Sequence, residues 1–373
     1  MSNKKGTNTE EVTSDEELVK LLIDSLNKEN RIAYSLATDS TPVEVKTFIP
    51  TGSTLLDMVI ANRRNGGVPS GRIVEVSGLE GSGKSLVATH IAASVQRIGG
   101  VAIYADTENA VSPDFMKRLG IDLEKLIYLQ PTSVEETFES AQKVITKTRE
   151  ALRNQDKPIA FIWDSVAATP VKAEIEGTFD ANSRMGVAAK TMSLAMRKLT
   201  QTIGCEKVTF VFVNQLRQKI GAPPYADPYV TPYGMAIPFH ASVRIRLASG
   251  GHIKVGEEVV GVHCRAKVVK NKIGPPFRRV EFNIMFDRGI DDEGSWYEFL
   301  HEKGVMKKTH GWSSLILDSQ EHKFQHHKWK EFLKDQTNRD KILSILEDKL
   351  VKDYSDIVVD PENIQIDQSE LGG

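Results

Sequence analysis

The middle of the chain alternates short apolar runs with longer amphipathic stretches, and this alternation predicts its elements. Runs typical of strands lie at Ile73–Val76, Val101–Tyr104, Ile159–Trp163, Val208–Val213, Ser242–Leu247, Val259–Val269 and Val280–Ile284. Helical spacing of apolar residues occupies 84–97, 133–152 and 186–203. Continuous apolar strands flanked by helices predict an α/β fold with a mainly parallel central sheet. The later strands follow one another closely and predict an antiparallel extension.

The same pattern divides the chain into segments of different character. The predicted segments are a disordered N-terminus (1–13), an N-terminal helical segment (14–50), the core (51–290), a small α+β C-terminal domain (291–354) and an acidic tail (355–373). In the C-terminal domain we expect Trp296 and Trp312 to be core residues. A helix is predicted there from Lys341 to Tyr354.

The N-terminal helix is predicted to run from Asp15 to about Lys28. Ser14 and Glu17 have the spacing of a capping box. The apolar positions at helical spacing are Leu18, Leu21, Leu22 and Leu26. Because such a stripe needs a partner, we expect the helix to pack on the core or on a neighbouring subunit.

Composition restricts the class of protein. The chain has 373 residues, 40% hydrophobic and 26% charged, which is typical of a globular protein. A net charge of -2 excludes a wholly basic nucleic-acid coat but permits a local basic patch. Two distant cysteines, Cys205 and Cys264, form no disulfide framework and predict a reducing, cytoplasmic compartment. The absence of 18 consecutive apolar residues predicts no membrane span, and the polar N-terminus does not resemble a secretory signal.

A glycine-rich motif joins the first strand to the first core helix. Residues 78–85 read Gly-Leu-Glu-Gly-Ser-Gly-Lys-Ser, which is a complete P-loop in its required strand–helix context. Its backbone N–H groups would cradle phosphates, Lys84 would reach the β- and γ-phosphates of ATP, and Ser85 would bind Mg²⁺. The nucleotide contacts predicted here are Gly78, Glu80, Gly81, Ser82, Gly83, Lys84, Ser85 and Leu86. A chance glycine-rich turn is the alternative, and the flanking strand and helix argue against it.

Polar residues at the ends of other strands complete a hydrolytic site. Asp164 follows an apolar strand and is the natural acid for the magnesium shell. Glu108 is the predicted general base, with Asp106 as the alternative, provided that their strand neighbours the P-loop strand. Carboxylates at strand ends also cap turns, so a purely structural role for Glu108 or Asp106 stays an alternative. Gln215, or Asn214 beside it, is predicted to sense the γ-phosphate, unless these amides only satisfy a turn.

Several stretches together resemble the bacterial RecA recombinase family, over about residues 15–350. Besides the P-loop they are TGS (51–53), GRIVEV (71–76), WDSVAA (163–168), KAEIEG (172–177), AMRKL (195–199), NQLRQKIG (214–221), FHASVR (239–244) and KVVKNKI (267–273). The resemblance implies a RecA-like ATPase core, ATP and Mg²⁺ as cofactors, and ATP held between subunits of a helical filament. It implies pairing of single-stranded with homologous double-stranded DNA in recombination, repair and the SOS response to DNA damage.

The resemblance also assigns individual residues. Glu108 falls on the family's catalytic glutamate, and Gln215 on its γ-phosphate-sensing glutamine. Lys270 and Lys272 fall on two lysines that reach the neighbouring subunit's ATP. Phe115 occupies the position of an adenine-stacking tyrosine, so that ring stacking is retained without the hydroxyl.

Two loops, about 174–186 and 216–236, match the family's DNA-contacting loops. The predicted DNA-binding residues are Arg184, Met185, Gly186, Lys190, Arg197, Arg217, Lys219 and Tyr225. Cations there would neutralise phosphates, and apolar or aromatic side chains would wedge between or stack on bases. From the residues alone, a solvated basic surface is the alternative.

Other functions on the same core are also considered. One is a RecA-core hexameric helicase or DNA-repair ATPase, which would need an accessory domain or zinc ribbon that the sequence does not display. Another is a non-hydrolysing structural filament or clock-type ATPase, against which the intact Glu108 and Asp164 argue. Single-strand-binding and loader proteins are further candidate partners. Divergence in the loops and tail suggests a phage or viral member of the family.

Overall fold

The computed structural model describes residues 14–29, 31–38, 41, 44–152, 156–176, 186–219 and 228–354. The predictions made for 1–13, Arg184, Met185, Tyr225 and the tail 355–373 lie outside these residues. By its internal contacts the chain divides into two units, residues 1–44 and 45–373. The finer domain boundaries given above stay predictions.

The first unit contains the predicted amphipathic helix, α1 (Asp15–Leu26). It begins where expected, because Ser14 caps it by accepting a hydrogen bond from the Glu17 backbone N–H at 3.2 Å. It ends two residues earlier than predicted. Its leucines, from Leu18 to Leu26, are roughly half exposed, so that the helix presents an apolar face.

The second unit contains the remaining helices and all the strands that the structure describes. The helices are α2 (Thr54–Ala61), α3 (Lys84–Arg97), α4 (Pro113–Arg118), α5 (Val134–Ala151), α6 (Lys172–Ile175), α7 (Val187–Cys205), α8 (Ala236–His240), α9 (Asp292–Glu302), α10 (Trp329–Phe332) and α11 (Gln336–Leu350). Within the described ranges, none of the helices is both long and apolar enough to cross a membrane.

The strands extend most of the predicted apolar runs by a few residues. They are β1 (Phe48–Ile49), β2 (Val68–Pro69), β3 (Ile73–Gly78), β4 (Val101–Asp106), β5 (Leu126–Leu129), β6 (Ile159–Asp164), β7 (Val208–Gln215), β8 (Arg217–Gln218), β9 (Tyr229–Val230), β10 (Val243–Val255), β11 (Glu258–Asn271), β12 (Arg279–Met285), β13 (Gly289–Asp291), β14 (Met306–Thr309), β15 (Trp312–Leu317) and β16 (Gln320–Gln325).

A nine-stranded sheet forms the centre, in the order β13-β12-β11-β10-β3-β7-β6-β4-β5. Strands β10, β3, β7, β6, β4 and β5 pair in parallel, which confirms the mainly parallel sheet. The antiparallel extension begins at β11. Most of the run Ser242–Leu247 lies in β10, which pairs in parallel with β3 and antiparallel with β11, so it joins the parallel part to the antiparallel extension. The edge strand β5 was not predicted, because it is short and only partly buried.

Helices cover both faces of this sheet, which explains its continuous apolar strands. On one face Phe161 and Phe210 stack with ring centroids 4.6 Å apart and share a cluster with residues of α5 and α7. On the other face Ile162 and Val211 belong to the cluster that contains α3. Alternate residues of one strand therefore enter two separate apolar layers, as burial on both faces requires.

The C-terminal region has a small antiparallel sheet, β14-β15-β16, with α9, α10 and α11. Trp296 is 1% exposed, which confirms it as a core residue. The prediction for Trp312 is wrong, because its side chain is 42% exposed. Its neighbour Ser313 takes the inward side of β15, and Lys323 lies 5.6 Å from the Trp312 ring centroid. The last helix begins at Gln336, after its Asp335 cap, rather than at Lys341.

Two carboxylates lie in the region where α2 faces the start of α9. Asp57 Oδ1 accepts hydrogen bonds from the backbone N–H and hydroxyl of Thr51, at 2.8 and 2.7 Å. Asp292 likewise accepts from the backbone N–H and hydroxyl of Thr54, at 2.7 and 2.6 Å. Burial raises the pKa of Asp57 to about 7, and the charge of Asp292 adds to this rise. Burial likewise raises the pKa of Asp292 to about 6.

These shifts predict that stability falls as pH rises. The pKa of Asp57 in the folded protein exceeds its ordinary value of 3.8. The contribution of Asp57 to the free energy of unfolding is therefore complete below about pH 3.8 and is lost as the pH rises through about 7. The change is at most about 4 kcal/mol for Asp57. Urea unfolding between about pH 4 and about pH 8 would measure it. Asp57→Asn should flatten the dependence, and an unchanged slope in that variant would contradict the assignment.

Candidate nucleotide and DNA-binding site

The P-loop wraps tightly between β3 and α3. Gly81 and Gly83 have φ values of 68° and 87°, in the left-handed region that favours glycine. A Cβ atom on Gly78 would lie 2.3 Å from Ser82 Oγ and 2.5 Å from the Leu247 carbonyl oxygen. The loop therefore needs glycine at these positions, and its shape fits the close approach of a phosphate chain.

Lys84 is the first residue of α3 and is 9% exposed. Its Nζ donates to the Leu79 carbonyl at 2.7 Å, which holds the ammonium group over the loop. Burial lowers the Lys84 pKa, whereas the charges of Asp164, Glu108 and, less strongly, Glu80 raise it. The predicted acids and the P-loop lysine thus share one electrostatic site.

Asp164 ends β6 and is 6% exposed. Tyr104 Oη donates to its Oδ2 at 2.7 Å, and the Ser85 hydroxyl also bonds to its side chain. Burial raises the Asp164 pKa, and these two hydrogen bonds lower it. A hydroxyl and a carboxylate side by side at a P-loop are suited to the oxygen-rich coordination of Mg²⁺.

Glu108 and Gln215 meet directly. Gln215 Nε2 donates to Glu108 Oε1 at 3.2 Å. The Ser165 hydroxyl donates to the same oxygen. Glu108 is itself exposed, so the carboxylate is oriented by neighbours but accessible to solvent.

The prediction that Glu108 is the general base requires its strand to neighbour the P-loop strand, and this condition is not met. Its strand, β4, does not neighbour β3, because β7 and β6 lie between them. The carboxyl ends of parallel strands share one edge of the sheet, so Asp164 and Glu108 still face the P-loop region. The intervening strand β7 supplies Gln215, which pairs in register with Gly78.

Asp106, the alternative base, is engaged in the backbone of its own loop. Its two oxygens accept from the N–H groups of Glu108 and Val111, both at 3.1 Å, and from Tyr128 Oη at 2.8 Å. It is 2% exposed. These contacts suit a residue that shapes the loop carrying Glu108, so the geometry favours Glu108 as the base.

The two amides at the end of β7 have different partners. Asn214 is fully buried, and its Nδ2 donates to Glu75 Oε1 at 3.0 Å. Arg244 Nε donates to the other oxygen of Glu75 at 2.5 Å. Asn214 thus belongs to a buried polar cluster beneath the site, whereas Gln215 reaches Glu108. A glutamate within the apolar run IVEV was the sequence signal for this cluster.

Lys270 and Lys272 lie away from the P-loop of their own chain. Lys270 pairs with Arg244, which pairs with Glu75, three residues before Gly78. Three strand residues correspond to about 10 Å. The Lys270 ammonium donates to the carbonyls of Pro238 and Phe239 at 2.7 and 2.9 Å. Within one subunit, these lysines are therefore not brought to the P-loop.

Phe115 lies in α4, on the loop side of β4. The helix is capped by Ser112, whose hydroxyl accepts from the Phe115 N–H at 3.3 Å. The ring is half-buried, and the Arg118 guanidinium lies 5.8 Å from its centroid. Ser112 therefore acts as a helix cap.

The described parts of the two loops present cations to solvent. Gly186, with a φ of 92°, caps α7, and Lys190 and Arg197 are exposed two turns apart on that helix. Arg217 and Lys219 are exposed at the root of the second loop. The antiparallel pairing of β8 with β9 there was not predicted from the sequence.

Three polar residues of the site were not predicted. Tyr104 bonds to Asp164, Ser165 bonds to Glu108, and Thr107 Oγ1 donates to the Ser165 carbonyl at 2.8 Å. Each lies within one residue of a predicted site residue or near the end of its strand. Their positions near the carboxyl ends of strands could have marked these three residues as site candidates. Their hydrogen-bond partners could not be predicted, because those depend on strand order.

A P-loop between β3 and α3, with Asp164 and Glu108 at the same sheet edge, defines a P-loop nucleoside triphosphatase core. The chain also matches the family model for the RecA N-terminal domain over residues 23–291. It belongs to the RecA family.

Individual relatives agree with the family model. The chain is 43% identical to Protein RecA of Ruminococcus albus over 266 residues, covering 71% of this chain and 64% of that protein. It is 43% identical to Protein RecA of Rubrobacter xylanophilus, covering 71% and 73%. It is 42% identical to Protein RecA of Bifidobacterium breve, covering 73% and 66%. In two of these three comparisons it spans slightly less than two thirds of the relative. These relatives are bacterial, and a viral origin stays a hypothesis.

Proposed function

We propose that this protein is an ATP-dependent DNA recombinase that forms filaments on single-stranded DNA and exchanges it with homologous double-stranded DNA. One observation carries the proposal. Gln215 contacts Glu108, the proposed general base, at 3.2 Å, and the second loop begins at the next residue, Leu216. A single side chain therefore joins the hydrolytic site to a DNA loop, as an ATP switch requires.

The site residues have separate roles in ATP hydrolysis. The P-loop amides and Lys84 would bind the phosphates, and Glu108 would orient and deprotonate the attacking water. Ser85 and Asp164 would hold Mg²⁺, which when bound neutralises phosphate charge. Gln215 would respond to the γ-phosphate, since it bonds to Glu108. Loss of that phosphate would return the second loop to a state that binds DNA weakly.

A filament explains why Lys270 and Lys272 lie away from the P-loop. A head-to-tail interface brings different surfaces of adjacent subunits together. The lysines of one subunit could then complete the ATP site of the next. The exposed apolar face of α1 suits the same self-association.

The same proposal assigns the protein to the cytoplasm. Cys264 is a buried free thiol, which agrees with a reducing compartment. Single-strand-binding and loader proteins would be partners, because they control access to the same DNA.

Strand exchange between long homologous DNA molecules tests the function directly. We expect joint molecules that require ATP, and continuous helical filaments by electron microscopy with a non-hydrolysed ATP analogue. Closed rings with unwinding activity would instead identify a helicase. Filaments that neither hydrolyse ATP nor exchange strands would identify a structural protein.

Arg217→Ala is expected to weaken single-stranded DNA binding and its salt dependence. Loss of one phosphate contact should reduce the slope of log affinity against log salt by about 0.7, or about fivefold in affinity at 0.1 M salt relative to 1 M. Fluorescence anisotropy over a salt series measures both quantities. The second-loop assignment fails if affinity and slope equal those of the wild type.

Lys147→Ala is a matched control for that variant. Lys147 is an exposed cation near the end of α5, where the helix returns towards the start of β6, opposite the strand ends that carry the loops. It forms an ion pair with Glu150 at 2.7 Å. The control removes one charge without touching the loop roots, so its DNA affinity and salt slope should follow the wild type.

A further inference from the structure

The roots of the two DNA loops meet around a cavity of about 480 Å³. Its lining includes Glu174 and Gly186 from the first loop, Arg217 and Tyr233 from the second, and Thr169, which precedes the first loop. Gln215 connects Glu108 to one root of the second loop, at residue 216. The other root, near Tyr233, is connected to Glu108 through different residues.

Tyr233 is held in an unusual backbone conformation. Its φ is 63°, in the left-handed region where a bulky side chain is an outlier, so tertiary contacts must hold it there. Its hydroxyl donates to the Thr169 carbonyl. Burial, with a contribution from Glu174, raises the pKa of Tyr233 to about 12, so the hydroxyl stays protonated and remains a donor.

Thr169 continues the connection towards the hydrolytic site. Its Oγ1 lies 2.9 Å from both Thr107 Oγ1 and the Ser165 carbonyl oxygen. Thr107 Oγ1 donates to that same carbonyl at 2.8 Å. The Ser165 hydroxyl then donates to Glu108. These hydrogen bonds, linked through the covalent structure of Thr169 and Ser165, join the Tyr233 root to the Glu108 carboxylate.

The middle of this series is fixed in place. Thr169 and Ser165 are each 1% exposed, and Trp163 Nε1 donates to Thr169 Oγ1 at 3.0 Å. Water therefore does not compete readily for these groups, and a change at one end is transmitted as a change in partners. An exposed series of the same length would exchange its bonds with solvent.

We propose that Tyr233 is a positioning residue that couples nucleotide state to the DNA loop through Thr169, Thr107 and Ser165, in parallel with Gln215. With both roots of the second loop tied to Glu108, a shift of that carboxylate acts on the loop from two sides. This inference rests on the proposed function, because it assumes that ATP and DNA binding are coupled.

The experiment measures that coupling as a ratio of affinities. Single-stranded DNA binding is measured with a fluorescent oligothymidylate, with and without a non-hydrolysed ATP analogue. Tyr233→Phe retains the ring and removes only the hydroxyl. We expect the ATP-dependent gain in DNA affinity to fall about fivefold, the effect typical of one hydrogen bond. By reciprocity, the DNA-dependent gain in analogue affinity should fall by the same factor.

A double-mutant cycle tests the route itself. Thr169→Val removes the hydroxyl that reaches both Thr107 and the Ser165 carbonyl, and Thr169→Ser should restore it. If Tyr233 acts through Thr169, the double variant Tyr233→Phe, Thr169→Val should lose no more coupling than the larger single loss. Fully additive losses would show independent effects and overturn the route. Tyr297→Phe is the control, since it removes a half-buried hydroxyl that bonds to Ser313 at 2.7 Å in the C-terminal region.

The outcomes separate this inference from the proposed function. A wild-type ratio above one with an unchanged ratio in Tyr233→Phe overturns the inference and leaves the function intact. Equal losses of DNA affinity with and without the analogue would make Tyr233 a direct DNA contact, which also overturns it. A wild-type ratio of one would remove the proposed switch and this inference together.

Discussion

Replacing Glu108 with glutamine is expected to lower ATP turnover by about 10²- to 10⁴-fold, because an amide cannot accept the proton of the attacking water. Binding of ATP and DNA should persist. The glutamine carbonyl can still accept from Gln215 and Ser165, which bond to one oxygen of Glu108. The variant should therefore remain in its ATP-bound filament, visible as long-lived filaments by electron microscopy and as slow phosphate release.

Glu80→Gln separates proton transfer from electrostatics. Glu80 is an exposed P-loop carboxylate, and its charge, like that of Glu108, raises the Lys84 pKa. Both variants remove one negative charge from the surroundings of Lys84, but only one removes the base. We expect a much smaller loss of turnover in Glu80→Gln. Comparable losses in the two variants, or wild-type turnover in Glu108→Gln, would show that Glu108 is not the base.

Lys84→Ala should weaken ATP binding by about a hundredfold, since it removes a charge-assisted contact to the phosphates. The side chain is 9% exposed and directed over the P-loop by its bond to the Leu79 carbonyl. Titration with a fluorescent ATP analogue measures the affinity, and single-stranded DNA binding should lose its ATP dependence. Lys84→Met keeps the aliphatic stem in place and tests whether the charge alone is responsible.

Lys270→Ala is the control for Lys84→Ala. Lys270 lies on β11 and contacts the carbonyls of Pro238 and Phe239. At concentrations where the protein is monomeric, its loss should leave ATP affinity unchanged, and an effect should appear only when filaments form. An equal loss of monomer affinity in both variants would contradict an ATP site completed by the neighbouring subunit. Wild-type affinity in Lys84→Met would show that the ammonium charge is not required.

The arrangement of carboxylates near the P-loop has a consequence for regulation. Tyr104, Ser165 and Gln215 hold Asp164 and Glu108 from three sides, and Lys84 lies among the same charges. A bound triphosphate would enter an already ordered set of groups. If Glu108 is the base, as proposed, its orientation would control activity, and both roots of the second loop could influence that orientation.

Local features of this protein were readable from the sequence. The P-loop depends on eight consecutive residues, and its glycines, such as Gly81 and Gly83, do adopt the left-handed backbone that the motif requires. Apolar runs predicted the strands, and helical spacing predicted α3 at its observed bounds. Asp164 and Glu108 could be selected as candidate site residues because they lie at or just after the ends of apolar strands. Short-range backbone geometry and burial on both faces are properties that a few adjacent residues encode.

Sequence patterns were thus sufficient to predict the P-loop and the mainly parallel sheet, and to propose Asp164 and Glu108 as the acids near the P-loop. The strand order β3-β7-β6-β4, which puts Gln215 rather than Glu108 beside the P-loop strand, became known only from the folded structure. The folded structure also assigned Asp106 to its own loop, exposed Trp312 and joined Tyr233 to Thr169. The physical reason is that periodicity fixes which residues are buried, whereas strand order and hydrogen-bond partners depend on contacts between residues far apart in the chain.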